Sequence, residues 1–137
     1  MTKFSGSFTG KVNWQTKVSL PHLANHHLIL EEGSGQQDCT DAKWKGAIVT
    51  YWSMITLVED RGSSQAYYSN VDVDGDRDWG TFGGKITASG DRITLEGTWK
   101  LDGGTGKFEG IKGDGNYKGR MVSPTEVKIE WGGEYEI

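Results

Sequence analysis

Gly97-Thr98-Trp99-Lys100-Leu101-Asp102-Gly103-Gly104-Thr105-Gly106-Lys107-Phe108-Glu109-Gly110-Ile111-Lys112-Gly113-Asp114-Gly115-Asn116-Tyr117 reads as a strand, a glycine-rich turn and a second strand studded with glycine. Glycine at such short intervals inside strands suits a tightly curved, closed β-barrel, because a residue without Cβ lets the sheet bend sharply or bulge. Gly106 falls where the chain leaves the turn and Gly113 where the next strand bends. Both are therefore expected to be architectural, through positive φ or close strand approach.

Outward from this run, alternation of period two dominates the chain. From Phe4 to Trp14 the even positions carry Phe4, Gly6, Phe8, Gly10, Val12 and Trp14, against Ser5, Ser7, Thr9, Lys11 and Asn13. Further strands are expected over 27–32, 44–59, 65–73, 79–87, 91–101, 107–121 and 126–137. In the segment 44–59 both faces are apolar: Ile48, Trp52, Met54 and Val58 on one, Val49, Tyr51, Ile55 and Leu57 on the other. Turn residues separate the strands at 59–63, 88–91, 102–104 and 123–125. No stretch sustains a 3.6-residue period, and 21–27 forms one helical turn at most. Eight strands in hairpin succession predict an all-β, antiparallel, up-and-down barrel over residues 1–137, with a β-sandwich as the alternative.

The composition agrees. Of 137 residues 21 are glycine, roughly twice the usual ~7%, and only Pro21 and Pro124 are proline. Six Trp, five Tyr and four Phe argue against disorder. A net charge of −4 gives no electrostatic footprint for nucleic acid. No basic amphipathic helix and no long apolar run supports a membrane role. Met1 to Gly6 lacks the apolar core of a signal peptide. Cys39 stands alone, so there is no intrachain disulfide, and a reducing, cytoplasmic setting is expected.

Gly104-Thr105-Gly106-Lys107-Phe108-Glu109-Gly110-Ile111-Lys112-Gly113, with Asp74-Gly75-Asp76 upstream, resembles allene oxide cyclase-type barrels, plant dirigent proteins and small bacterial proteins of the same kind. The resemblance spans roughly 66–121. It implies an eight-stranded antiparallel barrel of calycin-like form, often a homo-oligomer and commonly trimeric, with an apolar cavity. Characterised members cyclise or steer reactive small molecules. The matching residues are those of turns and curvature, so no catalytic role carries over to any position of this chain.

Asp72-Val73-Asp74-Gly75-Asp76-Arg77-Asp78 invites a calcium reading, since hard cations take clustered carboxylates. Glycine sits at the fourth place rather than the sixth, however, and Gly83 occupies the twelfth, where such a loop needs Glu. A hairpin tip is expected instead, with Gly75 turning the chain and the aspartates facing water. His22, His26 and His27 are too few and too divergent for zinc. The glycine-rich run lacks the Gly-Lys-Ser/Thr ending of a phosphate loop, and there is no Gly-x-Ser-x-Gly nucleophile elbow. Cys39 carries no activation signature. No metal and no cofactor are expected.

The aromatic set remains. Trp14, Trp52, Trp99, Tyr117, Trp131 and Tyr135 fall on apolar strand faces and are the candidate ligand-binding residues, converging on one lumen. An eight-stranded barrel is barely wide enough for its own side chains or one small ligand. Three functions remain open: binding of a small apolar or aromatic molecule, a cofactor-free cyclase or isomerase in the same cavity, or an interaction protein with a plugged barrel. An ionisable residue with a perturbed pKa in an otherwise apolar lumen would mark the enzyme. The doubly apolar segment 44–59 predicts a homo-oligomer.

Overall fold

Alternating sequences fold as strands because each face of the pleat meets one environment, core or water. In the computed structural model, which describes residues 1–137, these strands are β1 (Thr2–Ser19), β2 (His26–Gln36), β3 (Asp38–Cys39), β4 (Ile48–Val58), β5 (Arg61–Val71), β6 (Arg77–Ser89), β7 (Arg92–Gly104), β8 (Lys112–Ser123) and β9 (Glu126–Glu136). Eight of them form one closed antiparallel ring in the order β2-β4-β5-β6-β7-β8-β9-β1, with β1 returning to β2. β1 is long enough to serve both neighbours, pairing β9 over Thr2–Lys11 and β2 over Lys11–Ser19. The two-residue β3 lies outside the ring, paired to Gly6 and Ser7 of β1. The barrel is thus up-and-down, and closure leaves no long open edge.

Two strands begin several residues later than expected, while β1 and β2 run past the expected 4–14 and 27–32 and β5 starts before 65. The one expected over 44–59 begins at Ile48. Residues 41–46 are turns, because the Asp41 carboxylate accepts from the Lys43 N–H (3.0 Å) and Gly46 takes φ +80. The one expected over 107–121 is interrupted by a single 3₁₀ turn, Gly106–Phe108, and starts at Lys112. Gly106 has φ +57, and a Cβ there would lie 2.0 Å from Asp76 Oδ1; at Gly113 a Cβ would lie 2.5 Å from the Glu134 carbonyl. These interruptions swing Trp44, Phe108 and Ile111 inward, each almost or wholly buried.

Inside and outside are set by strand phase. In β1 a bulge at Asn13 breaks that phase: Val12 pairs with Gly33, and Trp14 pairs with Glu32. The extra residue turns every later side chain of β1 to the opposite face. The outer wall over β6–β9 carries Lys85, Glu96, Lys100, Asp114, Lys118 and Glu130. Over β1, β2, β4 and β5 it carries Trp14, Leu28, Leu30, Trp52, Met54 and Tyr67 in water, among uncharged Thr16, Thr56, Ser63 and Gln65. No helix is long and apolar enough to cross a membrane.

Candidate functional site

Successive hairpins alternate ends, so the lumen has two unlike halves. At one end lie the turns 20–25, 59–60, 90–91 and 124–125, the last three of only two residues each. At the other lie the longer connections 37–47, 72–76 and 105–111. The longer connections fill their end. Phe4, Trp44, Trp99, Leu101, Phe108, Ile111 and Tyr135 form one buried cluster there, with Cys39 and Tyr117 at its margin. The Phe4 ring lies 4.7–5.7 Å, centroid to centroid, from Tyr135, Trp44, Trp131 and Trp99, and Trp44 lies 5.0 Å from Phe108. Edge-to-face packing of this kind adds to the burial of apolar area.

A buried polar chain runs across this floor. Trp131 Nε1 donates to Gln37 Oε1 (3.0 Å), Gln37 Nε2 to Asn70 Oδ1 (3.1 Å), and Asn70 Nδ2 to Asp78 Oδ1 (2.9 Å). Trp44 Nε1 donates to the other Asp78 oxygen. Asp78 is 0% exposed. Burial pushes its carboxyl up to about 6 and the nearby Asp72 charge adds to this, against the pull of the Asn70 and Trp44 hydrogen bonds. Asp78 therefore has the shifted pKa of a functional acid, yet both its oxygens are occupied and no surface of it is open to the lumen. Its geometry is that of a satisfied structural anchor.

Above the floor a cavity of about 130 Å³ opens toward the short-turn end. Its walls are Val12, Ile55, Ile86, Leu95, Met121 and Val127, with Tyr51, Tyr68, Tyr117, Ser53, Ser64 and Glu31 supplying polar atoms. Tyr51 lies over Gly10 and Gly33, where a Cβ would stand 2.3 Å from its hydroxyl. The glycines are the notches into which this ring fits. Burial pushes the Tyr51 phenol well up, with the Glu31 carboxylate adding to it; burial does the same at Tyr68 and, moderated by Ser64, at Tyr117. All three are neutral hydrogen-bonding groups near neutral pH. Tyr68 donates to the Lys100 carbonyl (3.2 Å). Glu31 accepts from Gln15 Nε2 (2.8 Å) near the mouth. None of the 25 lining residues is Lys, Arg or His, so the cavity has no cation to hold an anionic ligand. An apolar cavity of about 150 Å³ accommodates benzene, so the volume here corresponds to a single ring.

Of the residues singled out from the sequence, Trp99, Tyr117 and Trp131 line this lumen. Tyr135 lies in the floor below it, its hydroxyl donating to Asp41 Oδ2 (2.5 Å). Trp14 and Trp52 are not in the lumen. Trp14 is turned outward by the bulge at Asn13, and Trp52 by the phase of β4, whose inward set is Val49, Tyr51, Ser53 and Ile55. The Trp52 indole lies on the outer wall and donates to Glu32 Oε1 (3.0 Å). Trp44, Tyr51, Glu31 and Asp78 were not anticipated. Asp78 had a signal, since Asp78, Gly80, Phe82, Gly84 and Ile86 share one face of β6. Trp44 had none, because a turn residue has no periodic phase.

The acidic loop is also built differently from the expected water-facing tip. Gly75 does turn the chain, at φ +87, and Asp74 is exposed. Asp72 is buried, however, accepting from the N–H groups of Asp74 (3.0 Å) and Asp76 (2.9 Å) and pairing with the Lys107 ammonium. Asp78 points into the barrel, so the carboxylates diverge. His26 Nδ1 lies 2.8 Å from the Ala24 carbonyl and His27 Nδ1 2.9 Å from Ser19 Oγ, each in a local turn contact. No group of three or more His, Cys, Asp or Glu side chains converges as metal ligands would. Cys39 is buried, and that burial raises its thiol pKa. No family model, curated protein or solved structure matches the chain, which leaves its eight-stranded antiparallel barrel and the lumen within it as the basis for any functional reading.

Proposed function

We propose that the protein binds a small, largely apolar or aromatic molecule in the upper lumen. The carrying observation is the cavity of about 130 Å³, apolar and aromatic in its walls and open at the short-turn end. Trp99 and Trp131 border it and would report occupancy. The cyclase or isomerase alternative has less support, since the one acid with a raised pKa, Asp78, is sealed within the floor. The plugged-barrel alternative describes the lower half alone. The unpaired, buried Cys39 suits a reducing compartment, and kinship with the allene oxide cyclase-type barrels is proposed on the Gly104–Gly113 run alone.

Titration with toluene or phenol, followed by tryptophan fluorescence, tests the reading. A saturable change is expected, and Val127→Trp, which fills the upper lumen, should abolish it while leaving a folded barrel. Absence of any response from a correctly folded protein would overturn it.

A further inference from the structure

We infer that the lumen selects an organic cation, a small amine on a ring-sized apolar body, over a carboxylic acid of the same size; this rests on the carrier reading above. Glu31, near the mouth, is the one acid of the lining that the floor does not seal, and none of the 25 lining residues is a lysine, arginine or histidine that could neutralise it. A buried anion without a cationic partner is strongly disfavoured, so a carboxylate entering here would lose its hydration, find no cation and meet the Glu31 charge at the mouth. The aromatic wall acts in the same direction. Phe8 and Tyr51 lie 6.2 Å apart, Tyr51 and Phe82 6.1 Å, and Phe82 and Tyr117 5.4 Å, so the wall is a continuous run of aromatic rings of the kind a cation can pack against. The Tyr68 hydroxyl already donates to Lys100 and is not free to hold an anion. Gln15 fixes one Glu31 oxygen at 2.8 Å, which orients the carboxylate for an ammonium group entering from the mouth.

Calorimetric titration at pH 7 with benzylamine, toluene and benzoate decides this. Benzylamine is expected to bind at least tenfold more tightly than benzoate, with Glu31→Gln reducing that ratio to within about threefold and Val127→Trp removing amine binding. If toluene binds but benzylamine shows no advantage over benzoate, the inference fails and the carrier reading stands. If none of the three binds, both fail. Amine selectivity that survives Glu31→Gln, or amine binding that survives Val127→Trp, also overturns the inference, because the net charge of −4 would then be acting at the surface.

A second inference rests on the outer wall, independently of the lumen. We propose that the face made by β1, β2, β4 and β5 pairs with a second copy of the chain. Cross-strand register sets Trp14, Glu32, Trp52 and Tyr67 in one outward row and Thr16, Leu30, Met54 and Gln65 in the next. Trp14 is 45% exposed, Leu30 45%, Met54 56% and Tyr67 66%. With Val18 at 50%, Leu28 at 43% and Trp52 at 38% exposed, these large side chains make a patch of the order of the ~800 Å² that one partner of a standard interface buries. Its one charge in these rows, Glu32, is tied to Trp52 (3.0 Å) and Asn13 (3.2 Å). A face this poor in charge offers nothing to an oppositely charged partner and has the character of a homo-oligomer interface.

Light scattering behind a sizing column is expected to give a multiple of 15.1 kDa, and Met54→Lys the monomer mass with an unchanged far-ultraviolet spectrum. Thr56→Lys, on the same face at a position already polar and exposed, gives the answer if Met54→Lys does not fold. A monomeric wild type at 100 µM overturns the proposal, whatever else covers the face. So does an oligomer unaffected by either substitution.

Discussion

The lower barrel and the upper barrel place the same kind of strand around unlike contents. Below, the inward positions carry Phe4, Trp99, Leu101 and Tyr135, and two segments outside the ring add Trp44, Phe108 and Ile111. Above, they carry Val12, Ile55, Leu95 and Val127, and the turns at that end contribute no inward plug. An eight-stranded ring has room for side chains or one small ligand. How fully each half is filled follows here from two connections, 37–47 and 105–111. These two reach back into the ring with Trp44, Phe108 and Ile111, whereas two-residue turns such as Glu59-Asp60 have nothing to send inward. Close packing in the floor and open space above it are thereby separated along one axis.

Removal of Trp44 is the hardest test of this division. Trp44→Ala should cost about 3–5 kcal/mol, the range for a fully buried large aromatic, and it also strips Asp78 of a donor. Urea unfolding of the two proteins measures the loss. A cost no greater than that of an upper-wall truncation would break the contrast between the halves.

The pH dependence of stability comes next. The folded pKa of Asp78, about 6, lies above its ordinary value of 3.8. Between these values the folded state binds the proton that the unfolded state releases, so the contribution of Asp78 is present below about pH 4 and is lost as pH rises through 6. The full effect is about 3 kcal/mol at 1.36 kcal/mol per unit. Urea midpoints of wild type and Asp78→Asn at pH 4, 5, 6 and 7 isolate this. The difference between the two curves should change across pH 4–6 and level off above it. Parallel curves would remove Asp78 as the titrating group.

Upper-wall and outer-wall changes should be smaller. Leu95 is half-buried beside an existing cavity, and Leu95→Ala should cost about 2 kcal/mol or less, below the usual range for sealed cores. It should also enlarge the lumen and shift preference toward bulkier probes, which toluene and naphthalene titrations would read. Trp14→Ser, on the outer wall, should move the stability of the isolated barrel by no more than about 0.5 kcal/mol. A large loss there would mean that the exposed indole is packed after all.

Much of the ring was legible in the chain. The alternation of Phe4 to Val12, of Ile93 to Leu101 and of Val127 to Tyr135 indicated strands and their inward faces, because one side of each strand meets the core and the other meets water. Where both faces of a strand are apolar the rule is silent, and nothing in the alternation of β4 tells that Tyr51 rather than Trp52 occupies the lumen. Where an extra residue enters a strand the rule misleads, and Trp14 followed the even phase up to a bulge that lies only one residue before it. The aspartates of the 72–78 segment read as a solvated loop because the sequence cannot show that Lys107, more than thirty residues away, returns to neutralise Asp72.

The sequence by itself determined an all-β chain, eight long strands in succession and the glycines that let them curve, since each of these follows from local period and backbone freedom. Only the tertiary structure decided which face of β4 turns inward, that Trp44 and Phe108 close one end, and that Asp78 is buried among their partners. Those outcomes depend on ring closure and strand register, which bring together residues far apart in sequence and fix, by a single bulge or turn, which side of the wall each occupies.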